Sequence, residues 1–337
     1  MKTILVTGAA GFIGFHLCKK LINEGYNVVG LDNINGYYDI NLKMARLNEL
    51  GIKTVFEHKL ATGEKHGDQF HFYKMNLEDL TLLPQLFKKY SFDSVCNLAA
   101  QAGVRYSIEE PMVYVESNIV GFMNLLECMR NNGIKKLVYA SSSSVYGNNS
   151  QVPFTETENV DAPVSLYAAT KKSNELMAST YSHLYGIETI GLRFFTVYGP
   201  WGRPDMAMFL FTDEIINNRA IKVFNEGLLS RDFTFIDDII EGVVATLVKE
   251  TPNSNLYEVF NIGNGQPVKL LHFIEAIEQQ LNKTAEKIML PMQPGDVYQT
   301  WANVDKLNVH YQYKPSTNID KGVGSFIEWY KKYYKIQ

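Results

Sequence analysis

The chain has 337 residues, of which 46% are hydrophobic and 20% are charged, and its formal net charge is −4. This composition is typical of a folded globular protein and excludes a disordered or collagen-like chain, while the length suggests about two domains. No apolar run approaches the roughly 18 residues of a membrane span, so we expect no membrane association. The lack of net positive charge argues against nucleic acid as a partner.

The three cysteines, Cys18, Cys96 and Cys128, are far apart in the chain and form no Cys-x-x-Cys pair. An odd number at this spacing indicates reduced core thiols, so we predict a cytoplasmic protein. The seven histidines show no spacing typical of metal ligands, and we predict no metal site.

The first elements predict a strand, a glycine-rich turn and a helix. Thr3–Thr7 is a β-rich run, and apolar residues at helical spacing follow until Gly25 offers a stop. Asn27–Asp32 then predicts a second buried strand. The polar segment of residues 57–69 is predicted as a surface loop or insertion.

Three further apolar runs predict buried strands at residues 94–99, 136–140 and 189–194, each after a helical stretch. This alternation predicts an α/β fold with a doubly wound parallel sheet and helices on both faces. The alternation weakens after residues 198–200, where we place the best candidate for a domain boundary. The segment from Phe326 into Lys332 predicts an amphipathic closing helix.

Gly8, Gly11 and Gly14 form a Gly-x-x-Gly-x-x-Gly turn between the first strand and the first helix. Such a turn brings a pyrophosphate close to the backbone and to the helix N-terminus. Asp32 ends the next strand, where a carboxylate accepts ribose hydroxyls and repels a 2′-phosphate. Because Asn33 follows rather than arginine, the sequence predicts NAD in preference to NADP. The alternatives are an ordinary glycine turn and a strand-end turn aspartate.

Tyr167 and Lys171 lie one turn apart on one face of a predicted helix. A neighbouring ammonium favours the phenolate, which would let the tyrosine act as a base near neutral pH. The serine run 141–144 follows a predicted strand, where a hydroxyl could bridge the tyrosine and a substrate oxygen. A chance Tyr-x-x-x-Lys and a helix-capping serine turn are the alternatives.

Together, the glycine turn, the segment NLAAQA at 97–102, the serine run and Tyr167-x-x-x-Lys171 resemble the extended short-chain dehydrogenase/reductase superfamily. Within it, the segment RFFTVYGPWGRPDMA at 193–207 is similar to UDP-glucuronate 4-epimerases. So are GVRYS at 103–107 and RDFTFIDD at 231–238. The resemblance extends from Lys2 to about Trp329.

The resemblance implies a Rossmann-type NAD domain with the catalytic groups over residues 1–195. A smaller, mixed α/β nucleotide-sugar lobe would cover residues 196–337, with segments interleaved. The implied enzyme oxidises the C4 hydroxyl of a UDP-sugar with NAD, turns over the 4-keto intermediate and returns the hydride to the other face. UDP-glucuronate and UDP-galacturonate are the expected substrate and product, and a homodimer is the expected assembly.

The resemblance also implies roles for individual residues. Tyr167 would move the O4 proton, Lys171 would hold the nicotinamide ribose, and Ser142, with Ser143 nearby, would bond the sugar O4. The implied NAD contacts are Gly8, Gly11, Phe12, Ile13, Gly14, Asp32, Asn33, Asn76, Leu77, Leu98, Ala99, Ala100, Gln101, Asn118, Tyr167 and Lys171. The implied substrate contacts are Arg105, Ser142, Thr196, Arg203, Arg231 and Asp296.

The charge of the expected substrate supports part of this set, because arginine forks suit a diphosphate and a carboxylate. By resemblance, Arg231 would contact the diphosphate, Arg203 with Thr196 the uronate carboxylate, and Asp296 the uridine. The alternatives are a surface arginine, a loop salt bridge and a turn residue, respectively.

Some positions depart from the family pattern. Asn76 stands where an aspartate often holds adenine, Asn97 replaces a frequent histidine, and Tyr298 and Asn303 replace a proline and an aspartate.

Three other functions remain open from the sequence alone. The first is 4-epimerisation of a neutral or N-acetylated UDP-hexose. The second is a nucleotide-sugar 4,6-dehydratase, which needs an acid and a base where Ser143 and Ser144 stand. The third is a non-enzymatic NAD-binding regulator.

Overall fold

The computed structural model describes residues 1–250, 255–293 and 297–336. Its strands are β1 (Thr3–Thr7), β2 (Asn27–Asp32), β3 (Leu60–Gly63), β4 (Gly67–Lys74), β5 (Ser94–Asn97), β6 (Lys136–Ser142), β7 (Glu188–Phe194), β8 (Thr196–Tyr198), β9 (Ile221–Phe224), β10 (Ser230–Arg231), β11 (Phe233–Phe235), β12 (Tyr257–Ile262), β13 (Val268–Lys269) and β14 (Lys287–Leu290). The buried strands predicted from the sequence are therefore confirmed as β1, β2, β5, β6 and β7.

The helices are α1 (Phe12–Asn23), α2 (Ile40–Glu49), α3 (Leu82–Lys89), α4 (Tyr106–Glu109), α5 (Pro111–Tyr114), α6 (Gly121–Asn131), α7 (Leu166–Tyr185), α8 (Ala207–Ile216), α9 (Ile236–Val248), α10 (Leu270–Leu281), α11 (Asp305–Tyr311) and α12 (Ile319–Tyr334). A π-helical turn at Val115–Val120 leads into α6. The predicted stop of α1 at Gly25, which has φ +88°, and the closing amphipathic helix α12 are confirmed.

The main sheet has eight strands in the order β12-β7-β6-β5-β1-β2-β4-β3, and every neighbouring pair except β3–β4 is parallel. Alternate residues of β1 enter two separate cores: Ile4 and Val6 pack on the side of α1, while Leu5 packs on the side of α6. The sheet is thus covered on both faces, as predicted. Strands β2 and β4 are added on one side of β1, whereas β5, β6 and β7 are added on its other side. A ligand crevice is therefore expected at this switch in strand order, at the carboxyl ends of β1 and β5.

The prediction of a loop at residues 57–69 is wrong, because this region forms the β3–β4 hairpin. Phe70 and Phe72 of β4 are fully buried, and the polar residues between and beside them point the other way. Their alternation fixes β4 against β2, although β3 itself is an exposed edge strand whose polarity is that of a loop.

A smaller unit lies beyond β7 and contains three two-stranded sheets, β8–β11, β9–β14 and β10–β13. The first two are parallel and the third is antiparallel. Phe273 of α10 and Phe326 of α12 are fully buried in a core that is continuous with the α1 side of the main sheet. The chain also returns to the main sheet, where β12 pairs with β7 over six residues.

Two expectations concern the chain as a whole. In the part of the chain that the structure describes, no helix combines the length and apolar character needed to cross a membrane. Cys18, Cys96 and Cys128 are all free and buried.

Candidate active site and cofactor cleft

The glycine turn joins β1 to α1 at the carboxyl edge of the sheet. Gly8 has φ +71°, and a Cβ there would lie 2.8 Å from the amide nitrogen of Ala99. A Cβ at Gly14 would overlap the carbonyl oxygen of Gly8, so helix and turn pack as only glycine allows. α1 then starts at Phe12 with no side-chain cap on its first-turn N–H groups. This end of the helix is suited to a pyrophosphate.

Asp32 lies buried at the end of β2, beside the glycine turn. One carboxylate oxygen accepts a hydrogen bond from the Ala10 amide at 3.1 Å and the other accepts from the Ile34 amide at 2.8 Å. Each oxygen keeps a lone pair for a ribose hydroxyl. The side-chain Nδ2 of Asn33 donates to Asn76 Oδ1 at 2.9 Å, so the predicted cofactor residues Asp32, Asn33 and Asn76 are brought together.

The segment after β5 forms the opposite wall of the cleft. The Ala99 amide donates to the Thr7 hydroxyl at 3.1 Å, and the Gln101 amide donates to Asn118 Oδ1 at 2.8 Å. Asn118, in the π-helical turn, also donates to Gln101 O and to the Thr170 hydroxyl, each at 3.0 Å. The predicted cofactor segment is therefore tied directly to α7.

Ser142, Tyr167 and Lys171 meet where β6 ends and α7 begins. The α7 helix is capped by Ser165, whose hydroxyl accepts from the Ala168 amide at 3.1 Å. Burial raises the pKa of Tyr167, while a hydrogen bond with Ser142 and the charge of Arg203 act to lower it. Ser143 begins the short 3₁₀ turn Ser143–Tyr146, which Ser142 caps.

Lys171 is almost fully buried, and its ammonium donates to Ala140 O at 2.9 Å and lies 5.9 Å from the centre of the Tyr167 ring. Burial lowers the pKa of Lys171 from 10.5 to about 8. In most molecules Lys171 therefore keeps its proton at neutral pH.

The buried lysine predicts a pH dependence of stability in the cofactor-free protein. Between pH 8 and 10.5 the unfolded chain binds the Lys171 proton more tightly than the folded protein, so stability rises with pH. We expect the free energy of unfolding of the wild type to gain up to about 3 kcal/mol over this window relative to Lys171→Met. Urea unfolding of both proteins at several pH values measures this difference. If the free energy of unfolding varied with pH in the same way in both proteins, the lowered pKa of Lys171 would be contradicted.

Arg203 faces the same cleft and forms a pair with Asp205. Its Nε donates to Asp205 Oδ1 at 3.0 Å, its Nη2 donates to Asp205 Oδ2, and Tyr37 OH donates to the same Oδ2 at 3.2 Å. Thr196 and Arg203 line one small pocket at the entrance to α8. The structure thus brings the two proposed carboxylate-binding residues together.

The remaining predicted substrate residues lie on other elements. Arg231, in β10, donates to Ser230 O at 2.9 Å and to Tyr298 O at 3.3 Å. The guanidinium of Arg105, before α4, lies 5.5 Å from the centre of the Phe224 ring. Asp296 lies outside the described residues.

A buried arginine that the sequence did not single out joins the two parts of the cleft. Arg46 of α2 is fully buried and donates to Ala10 O at 2.9 Å in the glycine turn, and to Trp201 O at 2.7 Å and Gly202 O at 3.2 Å in the loop before Arg203. His16 holds the adjacent Pro200 O at 2.9 Å. Since burial lowers the pKa of His16 to about 3, its ring is neutral and acts there as an N–H donor.

A buried ion pair lies directly behind the serine run. Arg193 of β7 makes two hydrogen bonds of 2.9 Å to Glu175 of α7, and the Ser141 hydroxyl donates to the same carboxylate at 2.7 Å. Glu175 is one turn beyond Lys171 on the same helix face, which is the one sequence signal that pointed to it.

Within the described residues, no group of three or more His, Cys, Asp or Glu side chains is placed to hold a metal ion. The glycine turn, Asp32 and the Ser-Tyr-Lys set instead define an α/β protein with a dinucleotide cleft. Residues 4–263 match the NAD dependent epimerase/dehydratase family, and the chain belongs to this family.

The chain is similar along almost its whole length to named relatives. Protein CapI from Staphylococcus aureus is 52% identical, covering 98% of this chain and 99% of that protein. A probable UDP-glucuronate 4-epimerase from Rhizobium meliloti is 44% identical, and the match covers 98% of this chain and 97% of that protein. The crystal structure of UDP-glucuronic acid 4-epimerase from Bacillus cereus with UDP-glucuronic acid and NAD has a TM-score of 0.88 at 35% identity, covering 98% and 100%.

Proposed function

We propose that this protein is an NAD-dependent UDP-sugar 4-epimerase that interconverts UDP-glucuronate and UDP-galacturonate. One arrangement carries the proposal: the Lys171 ammonium lies 5.9 Å from the centre of the Tyr167 ring and bonds the end of β6, and Arg203 is near enough for its charge to act on the same phenol. A proton-transfer group and a carboxylate-binding arginine therefore share one cleft. The similarity to UDP-glucuronate 4-epimerases supports the same substrate.

The residues of the cleft fit NAD. The glycine turn and the uncapped end of α1 would hold the pyrophosphate, Asp32 the adenosine ribose, and Lys171 the nicotinamide ribose. A bound NAD would supply the hydride acceptor for oxidation at the sugar C4 and the hydride for its re-reduction. We expect the remaining predicted contacts, from Asn33 and Asn76 to Asn118, to complete the binding of the cofactor.

The protein's own groups handle the proton and the orientation of the sugar. Tyr167 takes the O4 proton while C4 is oxidised and gives it back after the 4-keto sugar has turned over. Ser142 bonds O4 and, with Ser143 nearby, fixes it against the phenol. Because burial raises the pKa of Tyr167, the positive charge of the neighbouring Lys171 would serve to make it an effective base.

The test is product analysis after incubation with UDP-glucuronate. Anion-exchange chromatography with proton NMR at C4 should show UDP-galacturonate approaching equilibrium with the substrate. If only neutral or N-acetylated UDP-hexoses were converted, the protein would be an epimerase of those sugars and not of UDP-glucuronate. A 4-keto-6-deoxy product would indicate a dehydratase. Retained NAD without any sugar conversion would indicate a binding protein.

Arg203 should decide the preference for a uronate. Replacing it with Met removes a charged hydrogen-bond partner, so we expect kcat/KM for UDP-glucuronate to fall about 100-fold. Any activity on UDP-glucose should change less than about threefold by the same reasoning. Arg219→Met, which removes an exposed arginine on α8's C-terminal side, serves as the charge-matched control. Equal losses on both sugars would contradict this role.

Asp32 should control cofactor affinity and choice. Asp32→Asn keeps the size of the side chain but removes the charge that accepts ribose hydroxyls, so we expect NAD affinity to fall about 10-fold. The discrimination against NADP should narrow, because a 2′-phosphate is no longer repelled. Fluorescence titration of the cofactor-stripped protein measures the Kd for NAD and the Kd for NADP. Asp39→Asn, at the exposed cap of α2, is the control and should bind NAD normally.

We also propose a homodimer formed through α6 and α7. Leu176 and Leu184 of α7 are each 58% exposed, which is unusual for two leucines on one helix face. Sedimentation velocity should give a dimer, and Leu176→Asp should shift it toward monomer. The cytoplasmic location and the division of the chain at residue 195 stay predictions.

A further inference from the structure

Arg203 is already paired with a carboxylate in the ligand-free protein. Asp205 occupies the Nε–Nη2 edge of the guanidinium with both of its oxygens, which is the geometry that a bound sugar carboxylate would use. Burial acts to raise the pKa of Asp205, but the charge and hydrogen bonds of Arg203, together with hydrogen bonds from the backbone and Tyr37, lower it below its ordinary value. The pair is therefore a true ion pair at neutral pH.

The pair is held from a different part of the chain. Tyr37 donates to Asp205 Oδ2 at 3.2 Å, and its ring centre lies 5.9 Å from the Arg203 guanidinium. Tyr37 is in turn packed on Gly103, where a Cβ would come within 2.6 Å of the phenol oxygen. Tyr37, itself packed on Gly103, therefore holds Asp205 in its contact with Arg203.

The pair also remains within reach of a ligand. The side chain of Arg203 is 22% exposed and that of Asp205 is 30% exposed. A pair with this exposure is weak enough to be exchanged for another carboxylate. Rings of Tyr37, Tyr106, Tyr114 and Tyr167 follow one another at centre distances of 5.0, 6.2 and 6.1 Å, so the pair lies at one end of an aromatic wall that ends at Tyr167.

We propose that Asp205 is a specificity-determining residue: its carboxylate stands in for the sugar carboxylate on Arg203, and the uronate of the substrate takes its place. This inference rests on the proposed function. With a uronate bound on the Nε–Nη2 edge, Asp205 is displaced; with a uronate on the opposite edge, Asp205 repels it. In both geometries Asp205 lowers the affinity for the uronate.

The effect on a neutral sugar is the opposite. When UDP-glucose occupies the cleft, the Arg203–Asp205 pair stays closed and no guanidinium is left without a partner. Removing Asp205 would leave Arg203 facing a neutral sugar without a counter-charge, which is unfavourable in a partly desolvated site. Asp205 therefore narrows the difference in affinity between uronate and neutral sugars.

The experiment compares Asp205→Asn with the parent protein by calorimetric titration of the NAD-loaded enzyme. Both carry Tyr167→Phe, so that the sugar is not converted during the titration. We expect the Kd for UDP-glucuronate to fall about three- to tenfold, because the competing carboxylate is gone. The Kd for UDP-glucose should stay the same or rise. Glu241→Gln, an exposed carboxylate on α9, is the control for loss of one negative charge and should change neither Kd.

A second variant protects the conclusion against a folding defect. Tyr37→Phe keeps the ring but removes the phenol oxygen that donates to Asp205 and also lies against Arg203. With Asp205 held less firmly, UDP-glucuronate binding should tighten by a smaller factor than in Asp205→Asn. Melting temperature and retained NAD check that each variant is folded.

The outcomes separate the two proposals. Weaker UDP-glucuronate binding in Asp205→Asn would mean that Asp205 merely positions Arg203, and an unchanged ratio of the two Kd values would equally overturn the inference. Failure of the unsubstituted enzyme to form UDP-galacturonate would instead overturn the proposed function. That assay is independent of the comparison between Asp205 and its Asn variant.

Discussion

Tyr167→Phe is expected to lower kcat for UDP-glucuronate epimerisation by about 10² to 10⁴-fold, the usual contribution of a positioned proton-transfer group. Phenylalanine keeps the ring that packs against Tyr114 at a centre distance of 6.1 Å, but it removes the oxygen that would exchange a proton with O4. Ser142 cannot substitute for it, because an unperturbed hydroxyl is a much weaker base than a phenolate. Coupled chromatographic assay of the initial rate measures the loss.

The variant should keep its cofactor and its fold. NAD bound to Tyr167→Phe, measured by absorbance after denaturation, should match the wild type, because the ring still fills its place. Tyr26→Phe makes the same chemical change at the opposite end of β2 and should leave the rate unaltered. Unchanged turnover in Tyr167→Phe would rule out its proposed role.

Arg193→Met is expected to cause the largest loss of stability, about 3–5 kcal/mol. The side chains of Arg193 and Glu175 are only 4% and 1% exposed, so the substitution leaves a buried carboxylate that faces only the weaker partner Lys172, whose ammonium lies 3.9 Å away. The Tyr146 hydroxyl, which accepts from Arg193 at 3.0 Å, also loses a partner. Urea unfolding followed by circular dichroism measures the change.

Two comparisons isolate the cause. The double variant Arg193→Met with Glu175→Leu should recover much of the lost stability, because no buried charge remains. Arg219→Met removes an arginine that also makes two ion pairs, but at the surface, and should have a much smaller effect. If the surface variant were as unstable as Arg193→Met, burial would not be the cause.

The sequence predicted the parts of the fold that local patterns determine. The glycine turn, β1, β2 and α1 are contiguous, so their residue types specify them directly. Tyr167 and Lys171 could be paired because one helix carries both, and the serine run could be placed because it follows β6. The edge strand β3 was missed because an exposed strand has the composition of a loop.

The contacts that join distant segments could not be predicted. Arg46 and the loop at Trp201 are separated by 155 positions, and the bond is to a backbone carbonyl, which carries no residue-type signal. A loop salt bridge is one of the two interpretations of Arg203 from the sequence, but the sequence does not identify Asp205 as its partner. The connection of that pair to Tyr37 depends on a fold that brings residues 37 and 205 together. Such contacts follow only from tertiary structure.

The pairing of β12 with β7 has a consequence for how the chain folds during synthesis. Until residue 262 has left the ribosome, β7 is an open strand edge with unpaired backbone groups, although all the other strands of the main sheet are already available. The nucleotide-binding sheet must therefore wait for the 62 intervening residues, 195–256, before its last strand can dock, a non-local closure that is intrinsically slow. We expect nascent chains arrested shortly after β8 to be sensitive to protease at β7, and chains released beyond β12 to be protected.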